Sequence, residues 1–380
     1  MAESPILDRV RRRLAAEAAE PTPHSVAEAL RAEQQVAGSG TVLALVDQLR
    51  SETRGAGLLD PLLALPGVTD VLVNGAAEVH VDRGAGLERT SVRFADEDAV
   101  RRLAQRLAAQ AGRRLDDASP WVDARLRDGT RLHAVLAPLA RPGTLISLRV
   151  PARRTFSLAE LHAAGSLSGD ALGCLRAVVL SRAAFVVSGG TGSGKTTLLA
   201  AVLAEVDDRE RIVVVEDATE LRPDHPHVVG LEARPANVEG AGLVTVRDLV
   251  RQALRMRPDR LVVGEVRGAE VVDLLAALNT GHEGGCGTVH ANAPVDVPAR
   301  FEALGVAAGL PRDAVHSQLA AGIDLVLHLG RTSAGHRVLE QVAVMRRRPD
   351  GVVTCVPALT FVDGRGIRGP GHDRLREVLA

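Results

Sequence analysis

The chain has 380 residues, 46% of them apolar, with 46 basic side chains against 47 acidic, the composition of a globular protein of two or three domains. A net charge of −1 argues against a whole-chain electrostatic grip on nucleic acid, and five Phe, one Trp (Trp121) and no Tyr leave too few rings for a base-stacking platform. Three scattered cysteines, Cys174, Cys286 and Cys355, form neither a disulfide framework nor a paired zinc signature.

Residues 1–57 read as a helical N-terminal extension, with Val42, Leu45, Val46 and Leu49 at helical spacing and Pro21 and Pro23 breaking the segment. The first residues lack the apolar core of a signal peptide, and no stretch reaches the ~18 apolar residues of a spanning helix. The expectation is a cytoplasmic protein that reaches a membrane through partners.

Residues 58–150 read as an α+β domain. Asp70–Asn74 and Glu78–Asp82 resemble the arms of a hairpin around Gly75, a helix fits residues 97–112, and strands are expected at 130–136 and 145–150. Residues 151–157 (PARRTFS) form the expected linker. Over residues 158–345 apolar runs such as 184–188, 212–215 and 261–263 alternate with helical stretches, which predicts a parallel sheet between helices. A hairpin at 323–329 and 337–344 closes that domain. Residues 346–380, rich in Arg and Gly, are expected to be a loose C-terminal tail.

The chemistry is concentrated in one loop. Gly189-Gly190-Thr191-Gly192-Ser193-Gly194-Lys195-Thr196 fits the pattern G-x-x-x-x-G-K-[ST], with an apolar strand before it and a helix after it. Glycines let backbone N–H groups crowd around phosphate oxygens, and the helix opening at Thr196 and Thr197 offers its N-terminal dipole to the same anion. Lys195 would reach the β- and γ-phosphates of a nucleotide, and the Thr196 hydroxyl would ligate Mg2+. Acids are needed beyond the loop. Glu216-Asp217 follows the run 212–215, and Glu265 follows 261–263 through Gly264, where many P-loop enzymes carry Asp. Glu265 is therefore the expected water-orienting residue or general base, with Glu216 assisting at Mg2+ through water. A third cluster, Thr280 to Asn292, brings His290 toward the ligand as a phosphate sensor. A zinc reading of His282, Cys286 and His290 is disfavoured by the intervening glycines, and Arg255 and Arg257 read as surface residues.

On these motifs the chain resembles the secretion ATPase superfamily of type II and type IV systems, most closely its TadA/CpaF branch of pilus-assembly proteins. The resemblance rests on residues 68–75 and 120–131 in the N-terminal domain. In the C-terminal domain it rests on four ordered boxes: the P-loop, Val215-Glu216-Asp217 to Glu220, Arg257-Pro258-Asp259 to Arg267, and Thr288-Val289-His290-Ala291-Asn292. It implies an α/β fold: a RecA-like P-loop ATPase domain with a smaller N-terminal α+β domain and a helical N-terminal extension. It also implies ATP and Mg2+ as cofactors, assembly as a homo-hexamer, and action on an inner-membrane platform protein of a pilus or secretion machine. Direct contact with nucleic acid is not expected, although a RecA-like translocase in conjugal DNA transfer is the alternative. The same resemblance assigns Arg131 and Arg149 as arginines directed at the phosphates. Cys286 departs from the family pattern, where a small residue is usual.

Overall fold

The computed structural model describes residues 9–10, 13–14, 22–33, 38, 40–43, 45–46, 55–84, 86–151, 154–236, 240–281, 283–332 and 335–380. The chain divides into two compact units, residues 1–152 and 153–380, so the division falls within the stretch expected as a linker. Pro21 and Leu49 lie outside the described residues.

In the first unit, helix α1 (Pro23–Ala32) starts at Pro23 rather than being broken there. Pro23 occupies the first turn, where a missing N–H is harmless, and Thr22 and Ser25 exchange side-chain-to-backbone hydrogen bonds in a capping box. Val26, Ala29 and Leu30 bury against Val10, Leu14 and Val46 in a small cluster of their own. The main sheet has six antiparallel strands: β1 (Asp70–Asn74), β2 (Glu78–Asp82), β3 (Leu87–Arg89), β4 (Trp121–Arg125), β5 (Arg131–Val135) and β6 (Leu145–Arg149). They lie in the order β3-β2-β1-β6-β5-β4. β1 and β2 alternate half-buried and buried residues, so Val71, Val73, Val79 and Val81 face inward. They pack with Val100, Leu103 and Leu107 of α2 (Glu97–Gln110), which is capped by Asp96.

The second unit is built on nine strands. β7 (Phe185–Gly189), β8 (Ile212–Glu216), β9 (Val228–Glu232), β10 (Arg260–Val263), β11 (Cys286–His290) and β12 (Leu325–Arg331) run parallel, in the order β12-β7-β11-β10-β8-β9. β7, β8 and β10 are buried at every residue, because helices cover both faces. α3 (Leu158–Ala163), α4 (Gly169–Leu180) and α5 (Lys195–Leu203) pack on one face. α6 (Val246–Ala253), α7 (Glu270–Leu278), α8 (Val297–Ala307) and α9 (Arg312–Gly322) pack on the other. Residues 154–157 are held to this unit: the Thr155 hydroxyl donates to the Arg222 carbonyl at 2.7 Å, Phe156 packs on the core and Ser157 caps α3.

The expected loose tail is corrected by the structure. β13 (Arg337–Arg347), β14 (Val353–Val362) and β15 (Arg365–Arg368) extend the sheet antiparallel beyond β12, and α10 (His372–Val378) packs against it. Val353, Cys355, Ala358 and Leu375 are buried, so the Arg-rich composition marks the solvent side of strands rather than disorder. Among the described residues no helix is long and apolar enough to cross a membrane.

Candidate active site

Because β7, β8, β10 and β11 are parallel, their C-terminal ends open on the same side of the sheet, where ligands of open α/β sheets bind. The glycine loop leaves β7 there. Gly192 and Gly194 have φ of +69° and +96°, conformations that a side chain would strain, and Gly194 delivers the chain into α5. A Cβ at Gly189 would stand 2.6 Å from both the Leu329 carbonyl oxygen and Ser193 Oγ, so the loop folds tightly onto β12. Lys195 is 8% exposed and its ammonium donates to the carbonyls of Gly189 (3.0 Å) and Gly190 (2.9 Å). Burial pulls its pKa below the ordinary lysine value, and Glu265 opposes that shift.

From Lys195 a chain of contacts runs across the strand ends. Lys195 Nζ lies 3.4 Å from His290 Nδ1, and His290 Nε2 lies 3.0 Å from Glu265 Oε1. An ammonium can only donate, so Nδ1 is the acceptor and Nε2 carries the proton offered to Glu265. Burial and the neighbouring Lys195 hold His290 below the ordinary histidine value, which keeps this neutral tautomer. The lateral strand order β7-β11-β10 puts the three residues in line.

Glu216 ends β8 one strand further out, and is held differently. Its Oε1 accepts from the backbone N–H of Glu220 (3.2 Å) and Leu221 (3.0 Å), fixing the loop after the strand. It is 7% exposed, and burial pushes its pKa up to about 7. Val215 and Val263 are partners in the β8–β10 register, so Gly264 falls beside Glu216. A Cβ at 264 would meet Glu216 Cγ at 2.5 Å and Oε1 at 2.8 Å. This is the physical reason for glycine where many P-loop enzymes carry Asp. Thr288 Oγ1 donates to the Gly264 carbonyl at 2.6 Å and steadies the turn that presents Glu265.

The other candidates separate by unit. Arg131 and Arg149 are Cα partners on β5 and β6, and Arg149 Nε donates to Asp70 Oδ1 at 3.0 Å. Arg255 and Arg257 are exposed, and Arg255 donates to the Arg251 carbonyl at 3.0 Å. His282 lies outside the described residues. Cys286 and His290 sit four residues apart on one extended strand, about 13 Å, too far to share a metal ion. The Cys286 thiol is fully buried and its pKa is pushed up to about 12.

Two arginines were not singled out from the sequence. Arg331 Nη2 donates to the Gly192 carbonyl at 2.8 Å, clasping the loop from the end of β12. Arg300 of α8 lines a cavity of about 460 Å³ with Gly190, Thr191, His290, Asn292 and Asp296. A separation of 139 residues hides the first contact, and Arg300 lies beyond the histidine box (residues 288–292), so no motif flags the second.

These residues fit a phosphate. Ser193 Oγ is buried without a hydrogen-bond partner, the third Lys195 N–H is engaged only by the 3.4 Å contact to His290 Nδ1, and Thr196 and Thr197 are half-buried at the α5 N-terminus. Residues 52–366 match the family described as "Type II/IV secretion system protein". The chain belongs to that family. The chain is 61% identical over 316 residues to "Putative conjugal transfer protein Rv3659c" of Mycobacterium tuberculosis (strain ATCC 25618 / H37Rv), covering 82% of this chain and 90% of the relative. It is 35% identical over 256 residues to "Type IV secretion system protein PtlH" of Bordetella pertussis (strain Tohama I), covering 61% and 75%. The solved structure of the pilus retraction motor PilT with bound ADP aligns with a TM-score of 0.54 at 22% identity, covering 75% of this chain and 81% of that one. The fold is a RecA-like α/β fold, shared with that structure.

Proposed function

We propose that this secretion-family chain is a motor ATPase that hydrolyses ATP to ADP and phosphate. The observation that carries the reading is the line Lys195–His290–Glu265 at the mouth of the glycine loop. Residues 189–197 cradle the phosphates, with Lys195 sharing between them and His290 Nδ1 the N–H that the Gly189 and Gly190 carbonyls do not take. The Thr196 hydroxyl would hold a Mg2+ ion, which would supply charge neutralisation at the phosphates. Glu216, whose Oε1 is engaged by loop amides, has Oε2 left to reach the ion through water. Glu265 accepts a hydrogen bond from the attacking water, and the His290 N–H fixes the orientation of that carboxylate. Arg131 and Arg149 are the candidates to supply positive charge to the phosphates, in the manner of arginine fingers.

The larger reading is a homo-hexamer of the TadA/CpaF kind, acting at the inner face of the cytoplasmic membrane on an inner-membrane platform protein of a pilus or secretion machine. The name carried by the 61%-identical relative favours conjugal transfer as a second reading of the cargo. Phosphate release by wild type and Lys195→Ala tests the core of the proposal. Turnover in the wild type and its loss in a folded Lys195→Ala supports it, and unchanged turnover in the variant refutes the site. Stimulation by single-stranded DNA would favour the translocase, and its absence the platform protein.

A further inference from the structure

Ser188 and His328 form a buried polar pair in an apolar layer. They are 0% and 5% exposed, stand opposite each other in the β7–β12 register, and join through Ser188 Oγ and His328 Nδ1 at 2.9 Å. Their neighbours on that face are Val186, Val326, Val289 and Ala291. Two apolar side chains would fill this place with no polar group to satisfy, so a satisfied polar pair here calls for an explanation.

The position of His328 supplies one. Its ring also lies by the backbone of Asn292, in the loop that follows β11 and His290, and that backbone acts to raise its pKa against burial. With β7 lying between β12 and β11, the ring reaches across the P-loop strand to the histidine-box loop. Ser188 immediately precedes Gly189, whose carbonyl holds Lys195, and Asn292 lines the same cavity as His290 and Thr191. The β12–β13 ladder changes register between His328 and Leu329, a local irregularity of the sort that re-aims side chains beside functional sites. Burial holds the imidazole neutral, with Lys195 acting in the same direction and Asp296 against it. A neutral ring can accept at Nδ1 from the Ser188 hydroxyl while its N–H is left for the Asn292 backbone.

We propose that His328 is a positioning residue that fastens the strand bearing the glycine loop to the histidine-box loop, so that Lys195 and His290 keep their spacing. The proposal rests on the ATPase reading above. His328 touches neither phosphate nor water. It acts through Ser188 and Asn292.

The test compares wild type, His328→Phe and His328→Gln in the full chain. Phe keeps a planar ring without hydrogen bonds, whereas Gln retains one acceptor and one donor. Loss of the Ser188 hydrogen bond and of the polar contact with Asn292 corresponds to a kcat about tenfold lower or more in His328→Phe, with KM within about threefold of wild type. His328→Gln should recover kcat to within about threefold of wild type. A folded His328→Phe with wild-type kcat, or a His328→Gln as slow as the Phe variant, overturns the proposal. Should His328→Phe fail to fold, Ser188→Ala removes the same bond from the other side. A wild-type kcat in that variant overturns the proposal equally. A wild type with no hydrolysis sinks the ATPase reading instead. The coupling is then read by amide hydrogen exchange: faster exchange at both 189–194 and 290–292 in His328→Phe supports it, and unchanged exchange refutes it.

Discussion

Glu216 and Glu265 sit at the ends of neighbouring parallel strands, β8 and β10, yet the structure treats the two carboxyls in opposite ways. Glu216 is buried, takes two backbone amides, and has its pKa raised to about 7. Glu265 is two-fifths exposed and takes its hydrogen bond from a histidine that is itself tied to Lys195. The difference teaches that a strand-end acid is defined by its donors. Backbone donors make a brace that fixes one carboxylate oxygen in place, and a histidine tied to the glycine loop aims the other carboxylate toward that loop. Gly264 keeps the two apart, since a side chain there would strike Glu216.

The contrast can be broken at several points. Glu265→Gln keeps an acceptor for His290 and removes the charge. Steady-state hydrolysis should fall about 10²- to 10⁴-fold with nucleotide binding retained, and near-normal turnover would erase the distinction between the two acids. The His290 link has its own signature. Lowering the pH protonates an imidazole already held below the ordinary 6.5, and its Nδ1 then becomes a donor facing the Lys195 ammonium. The rate–pH profile should therefore lose activity on the acid side, below 6.5, and His290→Gln should remove that limb.

Glu216 predicts a stability effect instead. Its folded-state pKa, about 7, lies above the ordinary 4.5. Its stabilising contribution is fully present below 4.5 and is lost as pH rises through 7, where the carboxyl must ionise in a buried site. Glu216→Gln escapes that loss. Its melting temperature should match wild type near pH 4 and exceed it above pH 7, by the equivalent of about 3 kcal/mol at most. A constant difference across that range would contradict the buried-carboxyl account. Gly264→Ala should cost about 1–3 kcal/mol by overpacking, read as a lower denaturation midpoint. Combining it with Glu216→Ala should recover part of that loss, because the colliding atoms are gone.

What the sequence revealed depended on how local the physics was. The glycine loop, its flanking strand and helix, and the two acids lie in contiguous stretches, so their spacing was readable. The reason for Gly264 was not, because it comes from Glu216, 48 positions earlier, brought alongside by the β8–β10 register. Arg331 on Gly192 and Ser188 on His328 are equally non-local, as pairings across a sheet must be. β15 was missed because it is built largely of Arg and Gly, and β14, itself apolar, because the Arg- and Gly-rich stretches on either side give the segment the composition of a tail. β4 was missed because its half-exposed edge strand shows little apolar alternation.

Lys195 has a further use. It is the only lysine in the chain, and it is buried, with its proton held less tightly than usual. An amine-directed acylating reagent therefore meets a single side-chain target in this protein, located at the phosphate loop. The extent of its modification, read as one mass increment on one peptide, becomes an occupancy meter for that loop without any label having to be engineered.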